Sequence, residues 1–398
     1  MKVTTNYAWE EIMMEKLSGL HLGALKVARW GGRIALAVAT LITAVGAATA
    51  AQVGTDQPAS VLVFPKVIAD GTYDTVIQIT NVSSFAVPAI CFYVDASNGG
   101  YCSNAPVSCL ADSDCAPGGW CPSQCSETNF QIFLTGQQPT HWVVSSGRGL
   151  GSDPSCSPTN ADCNGAGYSP GLVPPRTPGF RGELVCVEID PSGLPLPGNS
   201  LIGEATLKDL TTGDVAKYNA TGFVGASNND GNGTLCLGGG VTPDCPNGAE
   251  YAACPQSWIL NHLSEGAEDG LVGTGSALRT NLTIVPCSQN FEAQSSQPVH
   301  VLFRVTTEFE QAFSSSITTG CWRDVPLSSL FVFNFAVTGS TYLQTSVRAW
   351  AGSSGIIVMA QESRDSGGPQ PATTSAMVMP YAEGTRSAPD LMVFPPFQ

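Results

Sequence analysis

The sequence predicts an all-β protein. The expected fold is an antiparallel β-sandwich, arranged as two sandwich-like units that meet across an interface, with disulfide-stapled loops and one short helix. Three observations lead there. Short runs rich in β-branched and aromatic residues recur along the chain, separated by Gly, Pro, Asn and Ser. One of them, VHVLFRVTTEFE at 299–310, alternates apolar and polar side chains, the period of a strand with one dry face. Fourteen cysteines, 43 Gly and 28 Pro accompany only 12% charged residues in the 398-residue chain, which describes loops held by covalent links.

Residues 1–51 read as a cleaved signal peptide. Lys26, Arg29 and Arg33 precede an uncharged, mostly apolar run at 34–51, and Ala48-Thr49-Ala50 fits the small-x-small rule of signal peptidase. The alternative is a retained membrane anchor, for which about eighteen residues is marginal. The leader holds five basic and three acidic residues, so its removal takes the formal charge from −15 to −17. Three lysines then remain: Lys66, Lys208 and Lys217. Such an acidic surface disfavours nucleic acid and anionic membrane as partners. Other protein chains or glycans at the cell surface are left. The expected location is secreted, cell-surface or periplasmic.

A first β-sandwich unit is expected over 52–226. Strands at 60–68, 74–83 and 87–96 are spaced as an antiparallel meander. A Cys-rich insertion at 97–128 interrupts, and strands resume at 129–136 and 141–147. A Gly/Pro-rich loop fills 149–179, a strand follows at 182–190, and 201–225 reads as a hairpin turning at Thr212-Gly213. Residues 227–270 are an irregular Cys/Gly-rich connection ending in the helix, where Ser257 caps and Trp258, Ile259, His262 and Leu263 fall at helical spacing. The second unit, 271–398, carries strands at 281–287, 299–310, 331–339, 341–350 and 355–363, then terminal strands at 375–384 and 390–398. LVFP at 62–65 echoes MVFP at 392–395. Proline belongs at a strand edge or end, so both read as terminal strands, and exposed edges there would template assembly.

All fourteen cysteines follow the leader: Cys91, Cys102, Cys109, Cys115, Cys121, Cys125, Cys156, Cys163, Cys186, Cys236, Cys245, Cys254, Cys287 and Cys321. An even count in an exported chain points to disulfides, with the pairing open. Nine lie up to Cys186 and five after it. Complete pairing therefore requires at least one bridge between the two groups. The 108–125 stretch lacks apolar residues for a core of its own, and closure of short loops supplies the constraint at ~2–4 kcal/mol per bridge. Within it, DSDCAPGGWC resembles small disulfide-knot modules of secreted proteins, which implies a stapled excursion. Zinc is disfavoured, since only Cys121 and Cys125 are closely spaced and thiolates oxidise outside the cell.

No catalytic set emerges. His141, His262 and His300 are far apart in sequence, and H-E-x-x-H, G-x-S-x-G, P-loop and dinucleotide fingerprints are missing. Glu308 and Glu310, with His300 and Arg304, share the polar face of the 299–310 strand. No cofactor is expected. The nearest approach to a calcium loop is Asn228, Asp230, Asn232 and Gly233, but Gly239 stands where a bidentate Glu is needed, and Asp112 and Asp114 add little. Four glycosylation tripeptides begin at Asn81, Asn219, Asn232 and Asn281. Trp142, Tyr168 and Trp350 flank polar turns, where an exposed ring stacks on sugar and a buried one serves the core. The leading expectation is an exported protein with a structural or cell-surface interaction role. The alternatives are a carbohydrate-binding module or adhesin, and a secreted hydrolase whose site is assembled from distant loops.

Overall fold

Alternation builds the sheets. In Val299–Thr307 the even-numbered side chains face outward and the odd-numbered ones are buried, the pattern expected from the sequence. The computed structural model describes residues 53–395 apart from 98–99, 103, 106–107, 110–114, 118, 120–124, 150–170, 177, 269–276, 366–372, 379–380 and 386–387. The leader expected at 1–51 lies outside the described residues, as do Asp112, Asp114 and Tyr168.

Among the described residues, five small sheets hold the main strands. Sheet I runs Thr221–Phe223, Val61–Ala69, Phe180–Glu188, Val87–Asp95, Ser126–Leu134. Sheet II runs Val215–Asn219, Leu201–Asp209, Tyr73–Asn81, Pro139–Val143. Sheet III joins Thr234–Leu237, Asp390–Val393, Gln289–Asn290 and Ser295–Ser296, with one parallel pairing between its middle strands. Sheet IV runs Ala312–Thr319, Val299–Thr307, Tyr342–Ala349, Pro255–Leu263, Tyr381–Thr385. Sheet V runs Arg323–Pro326, Ala277–Pro286, Ile356–Asp365, Thr373–Val378. The Cys-rich insertion adds a two-stranded ribbon, Gly100–Tyr101 with Ser108–Cys109.

The all-β expectation holds, but the two-sandwich arrangement does not. Sheet I is the reason. Leu62, Phe64, Cys91, Tyr93, Leu184 and Cys186 of one face enter a core shared with sheet II. Val61, Val63, Phe92, Val94, Val185 and Val187 of the other face enter a second core shared with sheets III, IV and V. A sheet dry on both sides carries near-continuous apolar runs, which do not reveal how many layers cover it. In number and size the sheets match the blades of a five-bladed propeller. Their strands, however, come from distant parts of the chain.

Four local expectations are corrected. The first three strands do not form a meander, because Tyr73–Asn81 pairs with Leu201–Asp209 and Pro139–Val143 in sheet II. The helix at Ser257 is instead strand Pro255–Leu263, bonded on both sides. Trp258, Leu260 and His262 are its buried positions, so the period of two wins over helical spacing. The strand expected at 331–339 is a pair of short turns, Phe331–Phe333 and Phe335–Thr338, ending at Gly339 with φ 61°. The polar face of 299–310 ends early, since Glu308 and Glu310 sit in the turn beyond Thr307 and Glu310 has φ 62°.

The two VFP segments are not exposed edges. Val61–Val63 are paired on both sides, and Pro65 falls in a register shift between Phe64 and Val67, where its missing donor costs least. Asp390–Val393 is also flanked on both sides, and Phe394 still donates its N–H to Gly233 O before Pro395. The hairpin turn at Thr212-Gly213 is as expected, with Gly213 at φ 77°.

Five disulfides are present among the described residues: Cys91–Cys186, Cys102–Cys115, Cys125–Cys321, Cys236–Cys245 and Cys254–Cys287. Cys125–Cys321 spans 196 residues and is the bridge that the parity of the cysteines requires. Cys121, Cys156 and Cys163 lie outside the described residues, and only the backbone of Cys109 is described. Among the described residues no helix is long and apolar enough to cross a membrane. Disulfides in this number indicate an oxidising, extracellular environment.

Candidate functional site

Two grooves of about 420 Å3 each open on the described surface. The first lies on the outer face of sheet II. Its strands alternate, so Gln78, His141, Ile202 and Glu204 point out while Ile77, Trp142 and Ala205 point into the core. Gly203 lets the groove sink toward sheet I, because a Cβ there would come within 2.5 Å of the Phe64 ring. The lining brings His141 together with Asp56 and Glu204. Glu204 is already engaged, since Lys217 Nζ donates to its Oε1 at 2.6 Å. Neither serine nor cysteine lines this groove.

The second groove is lined by residues within 288–298, by Gly352, Ser353 and Ser354, and by Pro389, Leu391 and Val393. Its polar lining is Ser288, Gln289, Asn290, Ser295, Gln297, Ser353 and Ser354, and none of its lining side chains is charged. The walls are tied from behind. Asp390, fully buried, accepts Ser288 Oγ at 2.7 Å and the Gly355 N–H at 3.0 Å. Gly355 sits so close to the Cys254–Cys287 bridge that a Cβ would lie 2.7 Å from Cys254 Sγ. Trp350 stands in the same turn, 56% exposed, with its carbonyl accepting Ser353 N–H and Oγ.

The other candidates are used by the fold. His262 is buried, its Nε2 2.8 Å from Thr345 Oγ1, and burial drops its pKa to about 4. His300 is exposed and bonds Thr318 Oγ1. Trp142 is 2% exposed, and its Nε1 donates to Tyr93 Oη at 2.6 Å. The 228–233 loop spends its side chains on the fold: Asn228 Nδ2 donates to Asn247 O and Ala249 O of a neighbouring loop, and Asp230 accepts the Asn232 N–H and Nδ2 within its own turn. Among the described residues no group of three or more His, Cys, Asp or Glu is placed to hold a metal. Asn81 is buried and donates to Phe85 O, while Asn219 donates to Thr55 O.

Sequence reasoning named Trp350 but missed the groove beside it, because its lining comes from three distant segments of ordinary Ser, Asn and Gln. It also missed a set of buried carboxyls and the half-buried Glu127. Burial pushes Glu183 up to about 8, against the opposing hydrogen bond from Gln289 Nε2. It pushes Glu127, Glu188 and Glu265 up to about 7.

No protein-family model matches this chain, and no curated protein matches it. Among solved structures, the Thermotoga maritima 1070 crystal structure aligns with 33% of this chain and 98% of its own, at 9% identity and a TM-score of 0.25. A viral chemokine binding protein encoded by a rodent gammaherpesvirus (Peru) aligns over 83% and 85%, at 8% identity and TM-score 0.12. A Pleurotus ostreatus lectin in its apo form aligns over 82% and 84%, at 10% identity and TM-score 0.10. Likenesses this low carry no argument about function.

Proposed function

We propose that the chain is an exported, disulfide-stabilised β protein with a structural or interaction role at the cell surface, and that 1–51 is its export signal. The observation that carries the reading is the Cys125–Cys321 bridge, which ties the Cys-rich insertion of the first half to the second half across 196 residues. Such a link persists only where thiols oxidise. The acidic composition keeps the protein away from nucleic acid and anionic lipid. Non-reducing peptide mass spectrometry on material recovered from the medium or cell surface tests it. The expected result is a mature N-terminus near Ala51 and a peptide linked through Cys125 and Cys321. Intact leader with free thiols on cytosolic material would refute it.

A hydrolase is supported by one observation, the groove that joins His141 to Asp56 and Glu204. Chromogenic ester and glycoside substrates test that reading. Turnover abolished by His141→Ala supports it, and absence of turnover by the intact protein removes it.

A further inference from the structure

We propose that the groove beside Trp350 binds a neutral carbohydrate, with the indole as its stacking platform. Its volume, about 420 Å3, lies within the usual range for small-ligand sites. The chemistry of the lining selects the ligand class. Asn290 Oδ1 accepts the Ala293 N–H, but no described residue accepts from its Nδ2. The Ser295 hydroxyl and the Gln297 amide also have no side-chain partner among the described residues. These are neutral donors and acceptors, suited to hydroxyl groups that both donate and accept.

Apolar walls from Pro298, Leu391 and Val393 complement the C–H face of a sugar ring. Trp350, whose carbonyl accepts from the lining residue Ser353, carries a flat face that the fold leaves in solvent. Nothing in the groove compensates a charged ligand, and the acidic chain repels anionic sugars. The shape is fixed in advance, because Asp390 ties its own strand to Ser288 and Gly355 of the other two segments, and the Cys254–Cys287 bridge anchors the chain beside Ser288. Preorganised walls lower the ordering cost of binding. The sheet II groove differs on these points: it carries carboxylates, and the adjacent Trp142 is buried.

The test is calorimetric titration of the full chain with cellobiose, maltotriose and N,N′-diacetylchitobiose, and with a galacturonate trimer as the anionic control. Binding of at least one neutral sugar is expected, with the anionic trimer weaker. Trp350→Ala should weaken binding about tenfold or more, the loss expected for one stacked ring. Its melting temperature should stay unchanged, since the side chain lies at the surface. Asn290→Ala should weaken binding as well. Absence of heat with all three neutral sugars overturns the proposal, as does binding that survives Trp350→Ala or that favours the anionic trimer. The outcome is independent of the export reading, which the mass spectrometry above decides alone.

Discussion

Lys66 Nζ lies 2.9 Å from both carboxylate oxygens of Asp324, joining sheet I to sheet V across 258 residues of sequence. Lys66 is 1% exposed. Thr283 Oγ1 donates to the same carboxylate, and the neighbouring Trp322 Nε1 donates to Pro65 O. This is one of only three lysines beyond residue 51, and it is spent inside the molecule. Removing the anion leaves a buried ammonium without its counter-charge. Asp324→Ala is expected to cost about 3–5 kcal/mol in urea unfolding. Lys66→Met combined with Asp324→Leu should recover most of that loss, because a well-packed apolar pair escapes the desolvation penalty. A single variant within about 1 kcal/mol of the native protein would show that this junction is not coupled to the fold.

The buried carboxyls set a pH dependence with a definite sign. Glu183 titrates at about 8 in the folded protein, and Glu127, Glu188 and Glu265 at about 7, against an ordinary value of 4.5. Desolvation is the leading cause for each. The folded state therefore keeps protons that the unfolded chain has released. That stability is fully present below about pH 4.5, declines as pH rises, and levels off above about pH 8. His262 opposes it: its folded value of about 4 lies below the ordinary 6.5, so its contribution grows over that interval. Four carboxyls outweigh one imidazole. The melting temperature should be higher near pH 5 than near pH 8, and Glu183→Gln should flatten the profile. A melting temperature that rises steadily from pH 5 to pH 8 would contradict the assignment.

The sequence made the strands legible and left their assembly hidden. Val299–Thr307 alternates, so its buried face is readable from one line of text. Val61–Ala69 is buried at every position, and an apolar run of that kind does not say which residues face which neighbour. Pro255–Leu263 satisfied helical spacing and strand alternation together. Only its two partners, Tyr342–Ala349 and Tyr381–Thr385, decide between them. The site follows the same division. Trp350 stood out by residue type, but the groove beside it depends on Asp390–Val393 lying parallel to Gln289–Asn290. That pairing across a hundred residues has no local signal.

The two tryptophans singled out in sequence should separate cleanly under mutation. Trp142 is enclosed by Phe130 at a ring distance of 5.8 Å and by the Arg148 guanidinium at 5.8 Å, with its N–H on Tyr93 Oη. Trp142→Phe strands that buried hydroxyl and should cost about 1–3 kcal/mol by urea unfolding. Sugar titration of the same variant should be unchanged. Trp350→Ala should give the opposite pair of results. If Trp142→Phe left stability intact, the buried Trp142–Tyr93 contact would not be part of the core.

The Cys125–Cys321 bridge makes its own prediction, because it does more than close a loop. Cys125 precedes strand Ser126–Leu134 at the edge of sheet I, and Cys321 precedes strand Arg323–Pro326 at the edge of sheet V. The bridge therefore fastens two sheet edges whose strands are remote in sequence, and it joins the same two sheets as Lys66 and Asp324. Removing it frees a long loop in the unfolded chain and loosens the outer strand of each sheet. The double variant Cys125→Ser, Cys321→Ser should lose about 2–5 kcal/mol. Amide exchange should accelerate first along Ser126–Leu134 and Arg323–Pro326, ahead of the buried Phe180–Glu188 strand, because opening begins where packing and pairing are one-sided. Uniform acceleration across all five sheets would instead mean that the bridge acts only on the unfolded ensemble.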